Sequence, residues 1–299
     1  MSPAGPPGRV EPLRDPELRI GCCSWTSEAW WDRVYPPTLR EGERLAWYAR
    51  LWDAVEVDAT YYRPPGSAMV RRWAAVTPER FRFAVKFPRD LLDLRRPVDR
   101  EGVAAFSAAV RLLGPKLGPV LLQFPPWISP ARAGPGLDAL FEALDPGLRY
   151  TVEFRHEAWF RGESLGRTTR ALADRRMALT WSFLTSVAVP PEVTTDFVYL
   201  RFIGDHVTVP AADHGEVRID RSATTRLWAE RLRASLTDRS LGGFVFFNNH
   251  YAGFAPESVN SFRREMGWPP VDFSGLREVA VASAAAAAAA VRGKVRRLD

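Results

Sequence analysis

The sequence predicts a single-domain α/β fold, a (β/α)8 barrel of the TIM type. Eight short apolar segments alternate with stretches of helical periodicity. Several of these segments end on a lone polar or charged residue, and barrels of this type keep their reactive groups at the C-terminal rim of the strands. Neither G-x-G-x-x-G nor G-x-x-x-x-G-K-[ST] follows any of the eight, which argues against a dinucleotide-binding or P-loop sheet. With 299 residues and 46% hydrophobic content, the chain can supply the core of one such barrel, which takes about 250 residues.

The first strand is Arg19–Trp25, RIGCCSW. Ser24, Trp25 and Thr26 then open a loop with Trp30, Trp31 and Tyr35, read either as a lid or stacking wall or as a capping mini-core. Leu45–Leu51 has helical spacing. Ala54–Tyr62 is the second strand, with Glu56, Asp58 and Thr60 on one face and Val55, Val57 and Ala59 on the other. Ser67–Val76 is a helix. Arg82–Pro88 is the third strand, and Lys86 lies on the face opposite Phe83, Val85 and Phe87. Only three of the 41 basic residues are lysine, so Lys86 hints that a compact ammonium is wanted there.

A helix over Glu101–Leu113 leads to the fourth strand, Gly118–Pro126, whose one polar side chain is Gln123. The helix Gly136–Leu144 precedes a fifth strand over 148–156. Within it, the stretch Tyr150–Trp159, YTVEFRHEAW, concentrates charge. Glu153 and Arg155 are two residues apart and share a strand face. His156 and Glu157 follow where the strand should stop. Burying such a pair is costly unless the charges meet each other or a ligand, so the stretch is either a salt-bridged strut or one wall of a site. The helix Leu165–Arg175, a sixth strand Ala178–Ser182, a seventh Phe197–Gly204 with Arg201 as its one charge, and the helix Thr224–Leu236 follow. The eighth strand, Gly243–Asn249, ends among Asn248, Asn249, His250 and Tyr251, and Glu257–Met266 is the last clear helix.

The net charge is +6, split as +3 in each half, so neither half is a basic arm. Cys22 and Cys23 are adjacent and show no zinc spacing; they read as buried strand residues in a reducing cytoplasm. Residues 1–18 are rich in proline and glycine, lack an apolar signal region and read as a disordered leader. The barrel is expected over 19–273, with an Ala-rich helix and basic tail over 274–299. No apolar run is long enough to span a membrane, and the cytoplasm is the expected location.

The segments IGCCSW, AVEVDATYYRPP, RFAVKFPRD, LLQFPP, EFRHEAW, YLRFIG and FVFFNNHYAGFAP occur in that order. Together they resemble the domain-of-unknown-function family 72, also called YecE-like, over roughly residues 19–268. The resemblance implies a TIM-type barrel and assigns no chemistry. The family pattern carries Thr-Ser-Gly at Cys22, Cys23 and Ser24, Asn-Ser at Asp58 and Ala59, and often His at Ile203. Asp58, which adds a negative charge, and Ile203, which removes a possible ligand, count against carrying over a metal role.

The expected rim gathers Glu56, Lys86, Gln123, Glu153, Arg155, Arg201 and Asn248 or Asn249, with Asp58 joining and His156 and His250 flanking. A mutually neutralising network is one reading. The leading reading is an enzyme, a hydrolase or isomerase, for a small anionic or sugar-like substrate such as a phosphate ester. Its catalytic candidates are Glu153, Glu56 and His156. Lys86, Gln123, Arg155, Arg201, Asn248, Asn249, His250, Trp25 and Tyr62 would bind substrate. A paired-carboxylate glycosidase is a variant. Two alternatives are a metal-dependent phosphodiesterase resembling endonuclease IV and a non-catalytic nucleic-acid binder using Trp25, Trp30, Trp31 and Tyr62 for stacking. Only four histidines occur, without H-x-H or H-E-x-x-H spacing, so no metal site is expected and no cofactor is assigned.

Overall fold

The computed structural model describes residues 18–239 and 241–282. Eight parallel strands close into a barrel in chain order. They are β1 (Leu18–Cys23), β2 (Ala54–Val57), β3 (Arg82–Lys86), β4 (Leu117–Gln123), β5 (Tyr150–Glu153), β6 (Ala178–Phe183), β7 (Phe197–Phe202) and β8 (Gly242–Phe247). The helices are α1 (Arg44–Leu51), α2 (Ser67–Val76), α3 (Arg100–Val110), α4 (Pro130–Ala143), α5 (Glu163–Asp174), α6 (Ser222–Arg239), α7 (Asn249–Ala252) and α8 (Ala255–Glu265). A further helical stretch covers residues 273–282, and residues 184–196 join β6 to β7 without a helix. The leader expected over 1–18 lies outside the described residues except for Leu18, as do residues 283–299 of the expected tail.

The strand register closes the barrel at the usual stagger. The inward residue at the end of each strand rises by two residues at the β2–β3, β3–β4, β5–β6 and β8–β1 pairings and stays level at the other four. The total of eight is the shear of a TIM barrel. Alternation within each strand sorts the side chains. Val55, Val57, Phe83, Val85, Val120, Leu122, Val152, Leu200 and Val245 point outward into the main core beneath the helices. Ala54, Ala84, Leu121, Ala178, Phe197, Tyr199, Phe244 and Phe246 form a second, inner core. Each large outward side chain contributes about 1.5–3 kcal/mol by leaving water.

One close approach fixes the start of the barrel. The Tyr48 hydroxyl on α1 accepts from Cys22 N at 2.8 Å and donates to the Ala54 carbonyl at 2.9 Å, bridging β1 and β2. Gly21 leaves the room: a Cβ there would lie 2.0 Å from the Ala54 oxygen and 2.8 Å from that hydroxyl. The aromatic loop after β1 is a mini-core, not a lid. Trp30 and Tyr35 are fully buried, and Trp30 stacks on Tyr48 at 6.4 Å between centroids.

Seven of the eight strands stop two to five residues before the expected end, and two of these differences bear on the site. β2 stops at Val57, because Asp58–Tyr61 turn into a 3-10 helix. Thr60 therefore leaves the strand face and donates to the Val57 carbonyl at 2.9 Å. β5 stops at Glu153, so Arg155 reaches back from beyond the strand.

Candidate functional site

Each strand contributes a last inward side chain at the C-terminal end of the barrel. Six of these are polar: Glu56, Lys86, Gln123, Glu153, Ser182 and Arg201, all buried. Cys23 and Phe246 complete the ring. Barrel interiors are usually filled by branched apolar residues, so this end is built differently from the Ala- and Phe-rich layers below it.

Arg201 is the hub. Its Nε and Nη2 donate to Glu56 Oε2 and Oε1 at 2.8 and 2.6 Å, a bidentate grip across the barrel from β7 to β2. Its Nη1 donates to Glu153 Oε2 and, at 3.2 Å, to Gln123 Oε1. Tyr199 donates to Glu56 at 2.7 Å and Ser182 to Glu153 at 2.9 Å. Arg155 closes the outer side, with Nε 2.5 Å from Glu153 Oε1 and Nη2 3.1 Å from Gln123 Oε1. Every carboxylate oxygen of Glu56 and Glu153 thus accepts at least one hydrogen bond. Tyr199 and Ser182 are absent from the residues singled out by charge; reading back two positions from Arg201 on the same strand face finds Tyr199.

Asp58 and Lys86 stand apart from this saturated set. Lys86 Nζ lies 2.8 Å from Asp58 Oδ1 and 3.9 Å from Glu56 Oε1, and 5.6 Å from the centre of the Tyr61 ring. The Asp58 side chain keeps 28% of its accessibility, against 0% for Glu56 and Glu153. Asp58 Oδ1 is paired with the Lys86 ammonium and has no other hydrogen-bond partner. Cys23, Glu56 and Asp58 form the one group among the described residues whose ligand atoms lie close enough to share a cation. The Lys86 ammonium already stands against both carboxylates of that group.

The electrostatics separate the carboxylates. Burial pushes Glu153 up, but Arg155 and Arg201 outweigh it and hold it well below the usual carboxylate range. Burial also opposes ionised Glu56, and Arg201 and Lys86 again prevail, leaving it lowered. For Asp58, burial wins over Lys86, and Glu56 adds to it, so its pKa is raised. Burial pushes the Cys23 thiol far up, with Glu56 and Asp58 adding to it, so it stays protonated.

The remaining candidates hold local structure. His156 Nδ1 accepts from Ala158 N at 3.1 Å and caps a short 3-10 turn. Asn248 caps α7 by accepting from His250 N. Asn249 is engaged on all sides, accepting from Trp30 Nε1 and Ala255 N and donating to Ser27 Oγ. Trp25 packs edge-on against Trp73 at 5.6 Å. Tyr62 is 68% exposed beside the mouth, with Arg89 over its ring, and Trp127, after β4, is 58% exposed. A cavity of about 490 Å³ opens at the opposite end, between Leu148, Tyr150, Met177 and Asp196, and shares no residue with the polar ring.

Two residues at the mouth are fixed by backbone and packing. Ser24 has a φ of 73°, the left-handed conformation that glycine adopts freely. Ile203 packs partly buried against the inner core.

Comparison with known proteins agrees with this architecture. UPF0759 protein YecE of Escherichia coli K12 is 33% identical over 162 residues, covering 53% of this chain and 56% of YecE. UPF0759 protein YunF of Bacillus subtilis is 29% identical over 150 residues, covering 48% of this chain and 52% of YunF. The chain spans about half the length of the curated relatives it matches. Among solved structures, a DUF72 family protein from Thermotoga maritima superposes with a TM-score of 0.71 at 24% identity, covering 84% of this chain and 99% of that one. A DUF72 family protein from Enterococcus faecalis gives 0.68 at 20% identity, covering 85% and 99%. The family described as "Protein of unknown function DUF72" matches residues 19–281, and the chain belongs to that family.

Proposed function

We propose that the C-terminal mouth is the active site of an enzyme acting on a small anionic, hydroxyl-rich substrate, a phosphate ester or sugar phosphate, by proton transfer. The observation that carries this reading is the contrast between Asp58 and the two buried glutamates. Glu56 and Glu153 are ionised and saturated, so they position Arg201 and exchange no proton near neutral pH. Neither is the protonated acid that a paired-carboxylate glycosidase needs. Asp58 is raised, keeps part of its side chain open to solvent and is held by Lys86 in place of a guanidinium, which suits a general base or acid. In this reading it takes a proton from the substrate while Lys86 faces the oxygen that becomes negative. Arg155, with Nη1 unused among the described residues, holds the anionic end. The Lys86 ammonium at the Cys23–Glu56–Asp58 group supports a mechanism that runs on this residue and not on a metal.

Calorimetric titration with glucose 6-phosphate and related sugar phosphates is the test. Binding should be seen in the wild type, weakened in Lys86→Met and retained in Asp58→Asn. If the wild type binds none of them, the polar ring is a structural network and the reading fails.

A further inference from the structure

Three of the four histidines meet at one side of the mouth, although the sequence keeps them apart. His206 and His214 lie on the connection from β7 to α6, and His250 lies in α7. The His206 and His250 rings are 3.8 Å apart between centroids, and those of His214 and His250 are 4.5 Å apart. His214 Nε2 is 3.2 Å from His250 Nδ1, which also lies 2.6 Å from the Val209 carbonyl. Gly204 permits this crossing: its φ is 70°, and a Cβ there would lie 2.1 Å from the His250 oxygen. The connection is tied down by Gly215 N to Gly253 O at 3.0 Å and Arg218 N to Ala252 O at 2.7 Å.

The charges around these rings are one-sided. Burial, His250 and the Arg155 guanidinium hold His206 below its ordinary value, and Asp205 opposes them only in part. Asp205 is spent on its own loop: its oxygens accept from Val207 N at 3.0 Å, Thr208 N at 2.6 Å and Thr208 Oγ1 at 2.8 Å. Burial, then His250 and His206, bring His214 down to about 4 against a weak opposite pull from Asp213. Three imidazoles therefore crowd together, with the Arg155 charge weighing on His206 and Asp205 turned to its own loop. For His206 and His214 that arrangement opposes the cationic form until an anion arrives.

We infer that His206, His250 and Arg155 form a subsite for the dianionic group of the substrate, a phosphate or sulfate ester. This rests on the anionic-substrate reading above and adds where the charged end sits, leaving Lys86 and Asp58 to the reacting end. A dianion stabilises protonated His206, so binding draws protons from solution by linkage. A monoanion gains less from the same groups and binds more weakly.

Sulfate is the suitable probe, because it stays a dianion across the neutral range. Titration of the full chain at pH 6.5, in two buffers of different ionisation heat and with a chelator present, reads both affinity and proton uptake. Net proton uptake on sulfate binding is expected. His206→Asn alone, at an exposed position that spares the fold, and His206→Asn with His250→Asn should each weaken binding and lose that uptake. Sulfate binding without proton uptake, unchanged binding in the histidine variants, or no sulfate binding at all would each overturn the subsite. If glucose 6-phosphate still binds in those cases, the anionic-substrate reading stands without it. If neither ligand binds, both fall together.

Discussion

Arg201 holds Glu56 by two parallel hydrogen bonds of 2.8 and 2.6 Å, and both residues are almost fully withdrawn from water. The same guanidinium also holds Glu153. Replacing Arg201 by methionine would leave two ionised carboxylates buried with too few partners. The expected loss is about 3–5 kcal/mol, as for other broken buried ion pairs. Urea unfolding followed by circular dichroism measures it. A loss within experimental error would mean that the carboxylates simply take up protons or water.

Lys86→Met should behave differently. Its main partner, Asp58, is accessible and has a raised pKa, so it can take a proton instead of remaining a stranded charge. The cost should stay below about 2 kcal/mol, with the methionine retaining the apolar stem. Thermal melts beside glucose 6-phosphate titrations separate a small stability change from a large binding change.

The acid side of the stability profile should show two limbs. His214 falls from 6.5 to about 4 on folding, so the unfolded chain binds the proton more readily. Its contribution is present above pH 6.5 and drains away as the pH falls toward 4. Glu56 and Glu153 are lowered from 4.5, so theirs is present above pH 4.5 and lost below it. Melting temperature measured against pH should bend near each value. His214→Asn should flatten the upper limb, and Glu153→Gln the lower one.

Tyr48→Phe tests the β1–β2 bridge. It leaves Cys22 N–H without the hydroxyl it donates to. A buried donor without a partner costs about 1–3 kcal/mol, and the ring packing is kept. A denaturation midpoint unchanged from the wild type would show that another acceptor replaces the hydroxyl.

The barrel was legible because alternation sorts its strands into an outer Val-rich and an inner Ala-rich face. Glu56, Lys86, Gln123, Glu153 and Arg201 were legible for the same reason, as single polar residues at strand ends. The assignment of roles was not. Whether a carboxylate is saturated depends on Arg201, which lies 145 positions from Glu56 and 48 from Glu153 in sequence. Asp58 looked like one more strand residue until the 3-10 turn at Asp58–Tyr61 set it apart. The histidines looked like loop residues, because nothing local shows that the connection after β7 crosses His250. Ser182 and Tyr199 carry no charge; Tyr199 can be found two positions before Arg201 on one strand face, whereas Ser182 gave no signal until its acceptor was in place.

The polar ring also bears on how the chain can come apart. Its charges divide unevenly between the two halves of the barrel: Glu56, Asp58 and Lys86 belong to the first four strands and their loops, Glu153, Arg155 and Arg201 to the last four. A half-barrel of either kind would carry an uncompensated charge without its partners across the ring, negative in one and positive in the other. Only the closed ring neutralises both. Partly assembled forms are therefore penalised from within, and the electrostatics of the mouth favour all-or-none unfolding over stepwise loss of its strands.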